Sequence, residues 1–286
     1  MANSITVYTD AQIMRCLLTH NFSALGRTFV DDVVTKVKAG AFYGATNLDT
    51  VSLPAVKNIG ALAFAGSSIA TLTLDWGSIE TIGINAFQGN LGILPQNLVL
   101  SSLTAIGRGA FAGTSSARNT QLRTASLPQW TGSAPTDTGF SATTGVFAYC
   151  SAMTEVSVPM LASVPTNTFQ YCTSLEEVVL PRAASIGGNS FQACSNLKKL
   201  DIGGAVTSMS SAFLQTTSKL EALILRGVAS VPTITSSTFS GTRIANGNAY
   251  VYVPKSLEAT FKVASNWATY AEQIRAVEDW PDVCGS

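Results

Sequence analysis

Three cysteines stand at one interval: Cys150, Cys172 and Cys194 are 22 residues apart. A thiolate is a nucleophile or a metal ligand, so cysteines this regular invite a test for chemistry. A metal site wants clustered ligands, C-x-x-C with a second pair or histidine partners, and none occur here. The single histidine, His20, has nothing near it that suggests a Ser-His-Asp or Cys-His arrangement. Neither a G-x-x-x-x-G-K-S/T phosphate loop nor an H-E-x-x-H site is present. Two carboxylates, Glu155 and Glu177, hold equivalent positions 22 residues apart. Like charges on neighbouring elements repel mildly. They mark a cation or basic-partner site, or, more plainly, a solvated face. The inventory therefore predicts no enzyme, no metal and no cofactor.

Composition narrows the classes further. Lys plus Arg and Asp plus Glu are 17 each, the formal net charge is zero, and charged residues are 12% of the 286. That is about half the ~25% of an ordinary soluble domain. Nucleic-acid binding needs a surplus of Lys and Arg, so it is excluded. The 46% hydrophobic content excludes an acidic disordered chain. No stretch of about 18 apolar residues exists, which excludes membrane insertion. The N-terminus MANSITVYTDAQIMRC lacks the basic and apolar regions of a secretory signal. Five cysteines, odd and sparse, argue against a disulfide framework.

The elements that would position these residues follow from the repeat that carries the cysteines. Phenylalanines recur at Phe42, Phe64, Phe87, Phe111, Phe147, Phe169, Phe191, Phe213 and Phe239, with spacings of 22, 23, 24, 36, 22, 22, 22 and 26. Five residues before most of them stands a β-branched residue, such as Ile59, Ile82, Ile106, Val164 or Ile186. Downstream comes a short alternating segment such as TVSLP, TEVSVP or EEVVLP. Alternation over four to six residues, stopped by Pro or Gly, reads as a half-buried strand. A period of 20–29 with one strand per unit predicts a leucine-rich-repeat solenoid. Here it would be β-rich, with about nine coils of about 22 residues. Each unit is too small to bury its own apolar face, so the coils must stack. The position three after each Phe holds Ala, Ser, Asn, Thr or Cys, all compact. The cysteines then read as small residues packed in a tight turn.

The unit I-G-x-x-A-F-x-x-C-x-x-L-x-x-V-x-L-P resembles the BspA-like class of leucine-rich repeats. The likeness is clearest in SIGGNSFQACSNLKKLDIG and SVPTNTFQYCTSLEEVVLPRAA and runs over roughly residues 28 to 254. The C-terminal VYVPKSLEATFKVASNWATYAEQIRAV resembles the closing segment of that family. The third and fourth copies depart from the pattern, and the fifth follows an insertion. The resemblance implies an adhesive role at a cell surface.

The chain divides accordingly into a helical N-terminal cap (1–36), the repeats (37–254) and a helix-containing C-terminal cap and tail (255–286). Thr9 with Gln12 suggests a capping box, and the last residues, DWPDVCGS, are expected to fray. The segment WTGSAPTDTGFSATTG (130–145) reads as an inserted surface loop, either functional or merely tolerated.

Recognition is left as the function. Strand residues that alternate with the buried ones line an open face. It changes from hydroxyls near Thr50 and Thr71, through Glu155, Glu177, Lys199 and Asp201, to Ile224, Tyr250 and Tyr252. The last three form a candidate anchor cluster. Trp76 and Trp130 lie just past strand ends and are expected to be exposed. The expected function is a non-enzymatic module binding a protein or a cell-surface glycan. The setting is a cell surface or, given the missing export signal, a phage virion as host-binding component. The alternative is a structural spacer or a capsid or tail decoration protein. A partner for so weakly charged a rod would be held by shape and hydrogen bonds, with little electrostatic steering.

Overall fold

The computed structural model describes residues 27–285 except 47, 136–138, 140–141 and 211. The expected N-terminal capping box and His20 lie outside the described residues. The chain is a leucine-rich-repeat solenoid. Its strand row runs Thr28–Val30, Thr50–Ser52, Thr71–Thr73, Asn97–Val99, Thr124–Ser126, Glu155–Ser157, Glu177–Leu180, Lys199–Ile202, Ala222–Leu225, Tyr250–Val253 and Ile274–Ala276. Nine phenylalanine copies thus become eleven strands, because each end adds one. All strand pairs are parallel and in register, as Thr28↔Thr50↔Thr71 shows. The alternation does what it must. Val51, Leu98, Val156 and Val178 are buried, and their Thr, Ser, Glu and Asn neighbours face outward.

The β-branched residues five before each Phe form a second ladder. Lys36–Val37, Asn58–Ile59, Thr81–Ile82 and Ala105–Ile106 pair in order, and Ser163–Val164 pairs with Ser185–Ile186. Glycine follows Ile at the closest approach of two coils. A Cβ on Gly83 would overlap the backbone of Ala61 in the preceding coil.

The third side of each coil is the phenylalanine turn. Phe42, Phe64, Phe87, Phe111, Phe147, Phe169 and Phe191 stack in one column, with centroids 5.2–5.7 Å apart and planes within 21° of parallel. Offset stacking suits the ring quadrupole. Most of these rings sit between two left-handed residues, one two places before and one two places after, as with Asn189 (φ 54°) and Ala193 (φ 58°) around Phe191. Asn and Gly supply many of them because they tolerate positive φ.

The column stops at Phe191. In the eighth copy Leu214, not Phe213, takes the stacked position, and Thr217 takes the place of the cysteines. Thr217 N donates to Leu214 O as Cys194 N donates to Phe191 O, and Ala212 (φ 59°) matches Asn189. The compact residues close this turn by hydrogen bonds. Thr217 and Thr242 hydroxyls donate to the carbonyl three residues back, both at 2.7 Å. The Cys172 and Cys194 thiols reach the carbonyls of Phe147 and Phe169 in the coil before, at 3.1 and 3.0 Å.

Trp130 corrects the expectation of an exposed side chain: it is fully buried. Its N–H donates to Leu127 O, as Val56 does to Leu53 O, Leu103 to Leu100 O and Leu161 to Val158 O. It is therefore the inward residue that these coils place four positions past the strand end. The next residues also belong to the coil. Ser133 O accepts from Ile106 N, and Thr131 O accepts from Ala162 N and Ser163 N, so 131–133 bridge the second ladder. At the other end of the insertion, Thr143 O accepts from Arg108 Nη2 at 2.6 Å and from Asn167 Nδ2 at 2.7 Å.

One apolar core runs from Phe29 to Ile274. At the C-terminal end the helix Glu258–Val263 and a 3-10 turn Ala268–Gln273 cover it. Phe261, Trp267, Tyr270 and Ile274 are buried, and Trp267 Nε1–H donates to Pro232 O at 2.7 Å.

Candidate recognition surfaces

The strand face is open over residues 28–199 and closed beyond. The tail, expected to fray, instead turns back across it. The short helix Pro281–Cys284 and Val277 lie on Ala222, Ile224 and Tyr252, and together they make a small apolar core of their own. Ile224 is therefore fully buried and Tyr252 is 3% exposed, against the expected open anchor cluster. Tyr250 stays partly exposed, but Arg275 sits over its ring at 4.7 Å. Asp201, expected outward, is buried in a bidentate pair with Arg226. Burial raises the Cys284 thiol and the Tyr252 hydroxyl pKa. Trp76 is half-buried, packed on Phe87 with centroids 5.6 Å apart, at the start of the 3-10 turn Trp76–Ser78.

Ladder pairing along the strand row is interrupted twice: between Thr71–Thr73 and Asn97–Val99, and between Glu155–Ser157 and Glu177–Leu180. The first gap coincides with the irregular third copy and its 3-10 turns at Trp76–Ser78 and Leu91–Ile93. The second coincides with the rung that would set Glu155 against Glu177. Like charges directly opposite destabilise a sheet pair, and every paired rung of the row avoids them. Glu155 pairs with Thr124 and Glu177 with Lys199. The sheet parts there and leaves a groove of about 410 Å³, lined by Glu155, Ser157, Pro159, Glu177, Val179 and Pro181. Lys199 Nζ lies 3.1 Å from Glu177, which balances that carboxylate. Among the described residues Glu155 has no such ion pair. The predicted pair is thus brought to one groove. Val179, an outward position by the same alternation, is 47% exposed at its rim.

Other ion pairs also join coils. Arg27 pairs with Asp49, Lys57 with Glu80 at 3.3 Å and Lys198 with Glu176 at 2.8 Å. Lys198 holds the Glu176 carboxyl below its usual range. Among the described residues no group of three His, Cys, Asp or Glu side chains could hold a metal. No described helix is long and apolar enough to cross a membrane. Burial lifts the thiols of Cys150, Cys172 and Cys194 well above the ordinary range, with Cys194 at about 12. They are protonated at neutral pH and poor nucleophiles.

The family profile described as BspA type leucine rich repeat region matches in six copies, over residues 21–129 and 142–263. The chain belongs to the BspA-type leucine-rich repeat family. Solved leucine-rich repeat and surface-antigen structures are similar at low identity. A leucine-rich repeat protein from Bacteroides ovatus is 18% identical, with 87% of this chain and 83% of that one covered and a TM-score of 0.44. The pneumococcal vaccine antigen PcpA is 14% identical, with 87% and 76% covered and a TM-score of 0.40. A leucine-rich cell surface protein from Faecalibacterium prausnitzii is 15% identical, with 86% and 90% covered and a TM-score of 0.28. Among curated proteins none matches.

Proposed function

We propose that this BspA-type solenoid is a non-enzymatic recognition module of a cell surface, and that it grips a protein partner by its strand face. The observation that carries the reading is the groove at the parted rung. It is the place on the strand face where a concave space, an exposed apolar side chain and an unpaired carboxylate coincide. Val179 and the two prolines offer contact area, and Ser157 offers a hydroxyl. Glu155 offers a charge to a Lys or Arg of the partner. The hydroxyls of Thr50, Ser52, Thr71, Thr73, Thr124 and Ser126 extend the surface towards the N-terminus. A single carboxylate in a weakly charged surface implies modest dependence on salt.

The test is an array of host cell-surface and matrix proteins probed with the purified chain and with a Ser157→Arg/Val179→Arg variant. Both changes are on exposed strand positions and leave the core untouched. A protein bound by the wild type and lost by at least tenfold in the variant supports the reading. Failure to bind any protein, or equal binding by the variant, overturns it.

A further inference from the structure

We propose that the turn ridge beside the phenylalanine column carries a second site, a slot for one ring of a neutral sugar against Tyr171. The site lies on the turns and is independent of the strand face. Two places past the stacked residue the backbone is left-handed in coil after coil. Gly44, Gly66, Gly89 and Gly241 take this position with φ between 61° and 76°. Two adjacent coils put tyrosine there instead, Tyr149 at φ 61° and Tyr171 at φ 60°. A bulky residue with positive φ is an outlier, and strain of this kind gathers at functional sites. The two rings stack with centroids 4.6 Å apart and planes 10° apart, and both residues are half-buried.

The spacing equals that of the coils, so the stack runs along the rod and the far face of Tyr171 looks towards the next coil. There the equivalent residue is Ala193 (φ 58°), a methyl group, and the coil after that has Thr216 (φ 62°). The column of rings therefore ends in a step one rung wide, with Tyr171 as wall and Ala193 as floor.

Beside the step runs a row of amides. Gln170 Nε2–H donates to Gln192 Oε1 at 2.5 Å, and Gln192 Nε2–H donates to Gln215 Oε1 at 2.7 Å. Each amide keeps a further donor or acceptor position for a ligand. No charged residue occurs in 165–174 or 187–196. A flat group of C–H bonds fits the negative face of a tyrosine ring, and ring hydroxyls fit amides. A sugar ring has both and needs no charge. An aromatic side chain of a partner would stack as well but would leave the amide row unused.

Cellohexaose, maltohexaose, mannohexaose and chitohexaose would be titrated calorimetrically into the full chain and three variants. Tyr171→Gly installs the residue that four other coils use, and Ala193→Tyr fills the step. Val179→Arg alters the strand-face groove alone. The expected result is binding of at least one hexaose, weakened tenfold or more by Tyr171→Gly and by Ala193→Tyr. Melting temperatures should be unchanged or raised for Tyr171→Gly, and binding kept in Val179→Arg. If none of the four sugars binds, or binding survives both ridge changes, or Val179→Arg abolishes it, the slot is overturned.

Discussion

Arg226 holds Asp201 with three hydrogen bonds: Nε lies 3.0 Å from both carboxylate oxygens and Nη2 lies 2.8 Å from Oδ2. The pair sits at the edge of the tail, whose Gly285 O accepts from the remaining Nη1 at 3.4 Å. The Asp201 side chain is 8% exposed. Removing one member of such a pair strands a buried charge, at about 3–5 kcal/mol, whereas replacing both with apolar groups is often neutral. Arg226→Ala should therefore lower stability in urea by about 3 kcal/mol, and Asp201→Leu/Arg226→Met should restore most of it. Equal losses in both variants would show that the pair itself stabilises the fold.

Coil spacing sets a second expectation. The missing side chain of Gly83 is what lets its coil meet the backbone of Ala61. Gly83→Ala forces the coils apart and should destabilise by about 1–3 kcal/mol, the usual penalty of overpacking. Gly92→Ala, with open space around the added carbon, is the control and should change little. Thermal melts of the two variants decide it.

The parted rung gives a third. If like charge keeps the strands of Glu155 and Glu177 apart, Glu155→Gln should gain about 0.2–1 kcal/mol, the range of a cross-strand pair. Hydrogen exchange of the amides at 176–180 should slow in that variant. Unchanged exchange would assign the gap to the backbone instead.

The buried thiols couple stability to alkaline pH. In the unfolded chain they titrate near the ordinary value of about 8.5; in the folded chain burial raises all three. Below the unfolded value both states hold their protons and stability is complete. As pH rises from there towards about 12, where Cys194 titrates in the fold, only the unfolded state loses protons and stability falls. The slope is about 1.4 kcal/mol per pH unit for each thiol. Replacing Cys150, Cys172 and Cys194 with Thr, the residue of Thr217 and Thr242, should remove that part of the slope in urea melts at pH 7.5 to 10.5.

The strand row and most of the phenylalanine column were legible because period and alternation act locally, whereas the second ladder showed in the sequence only as a recurring β-branched residue and not as a second strand in each coil. Four further features were not legible. In the eighth copy Phe213 and Leu214 are adjacent and both fully buried, so aromatic character pointed to the wrong one. The hydroxyl of Thr217, three past Leu214, carried the register. Trp130 follows the L-P-x-x pattern that ends at Val56 in L-P-A-V, a signal hidden by reading the insertion as one block. The tail's resting place was written in the strands beneath it. ALIL is apolar at every position, as strands covered on both faces are. The groove could not be read at all, since a missing ladder pair is a property of two coils together.

Those two missing pairs divide the rod mechanically. Hydrogen-bonded ladders resist sliding and splaying between coils. At 73/97 and 157/177 the strand side lacks that brace, while the second ladder continues at both places through Thr81–Ile82 with Ala105–Ile106 and Ser163–Val164 with Ser185–Ile186. The rod is therefore three stiff beams with two one-sided flexures. Load applied along it opens the strand side at those joints first, so pulling on a captured partner would reshape its own grip.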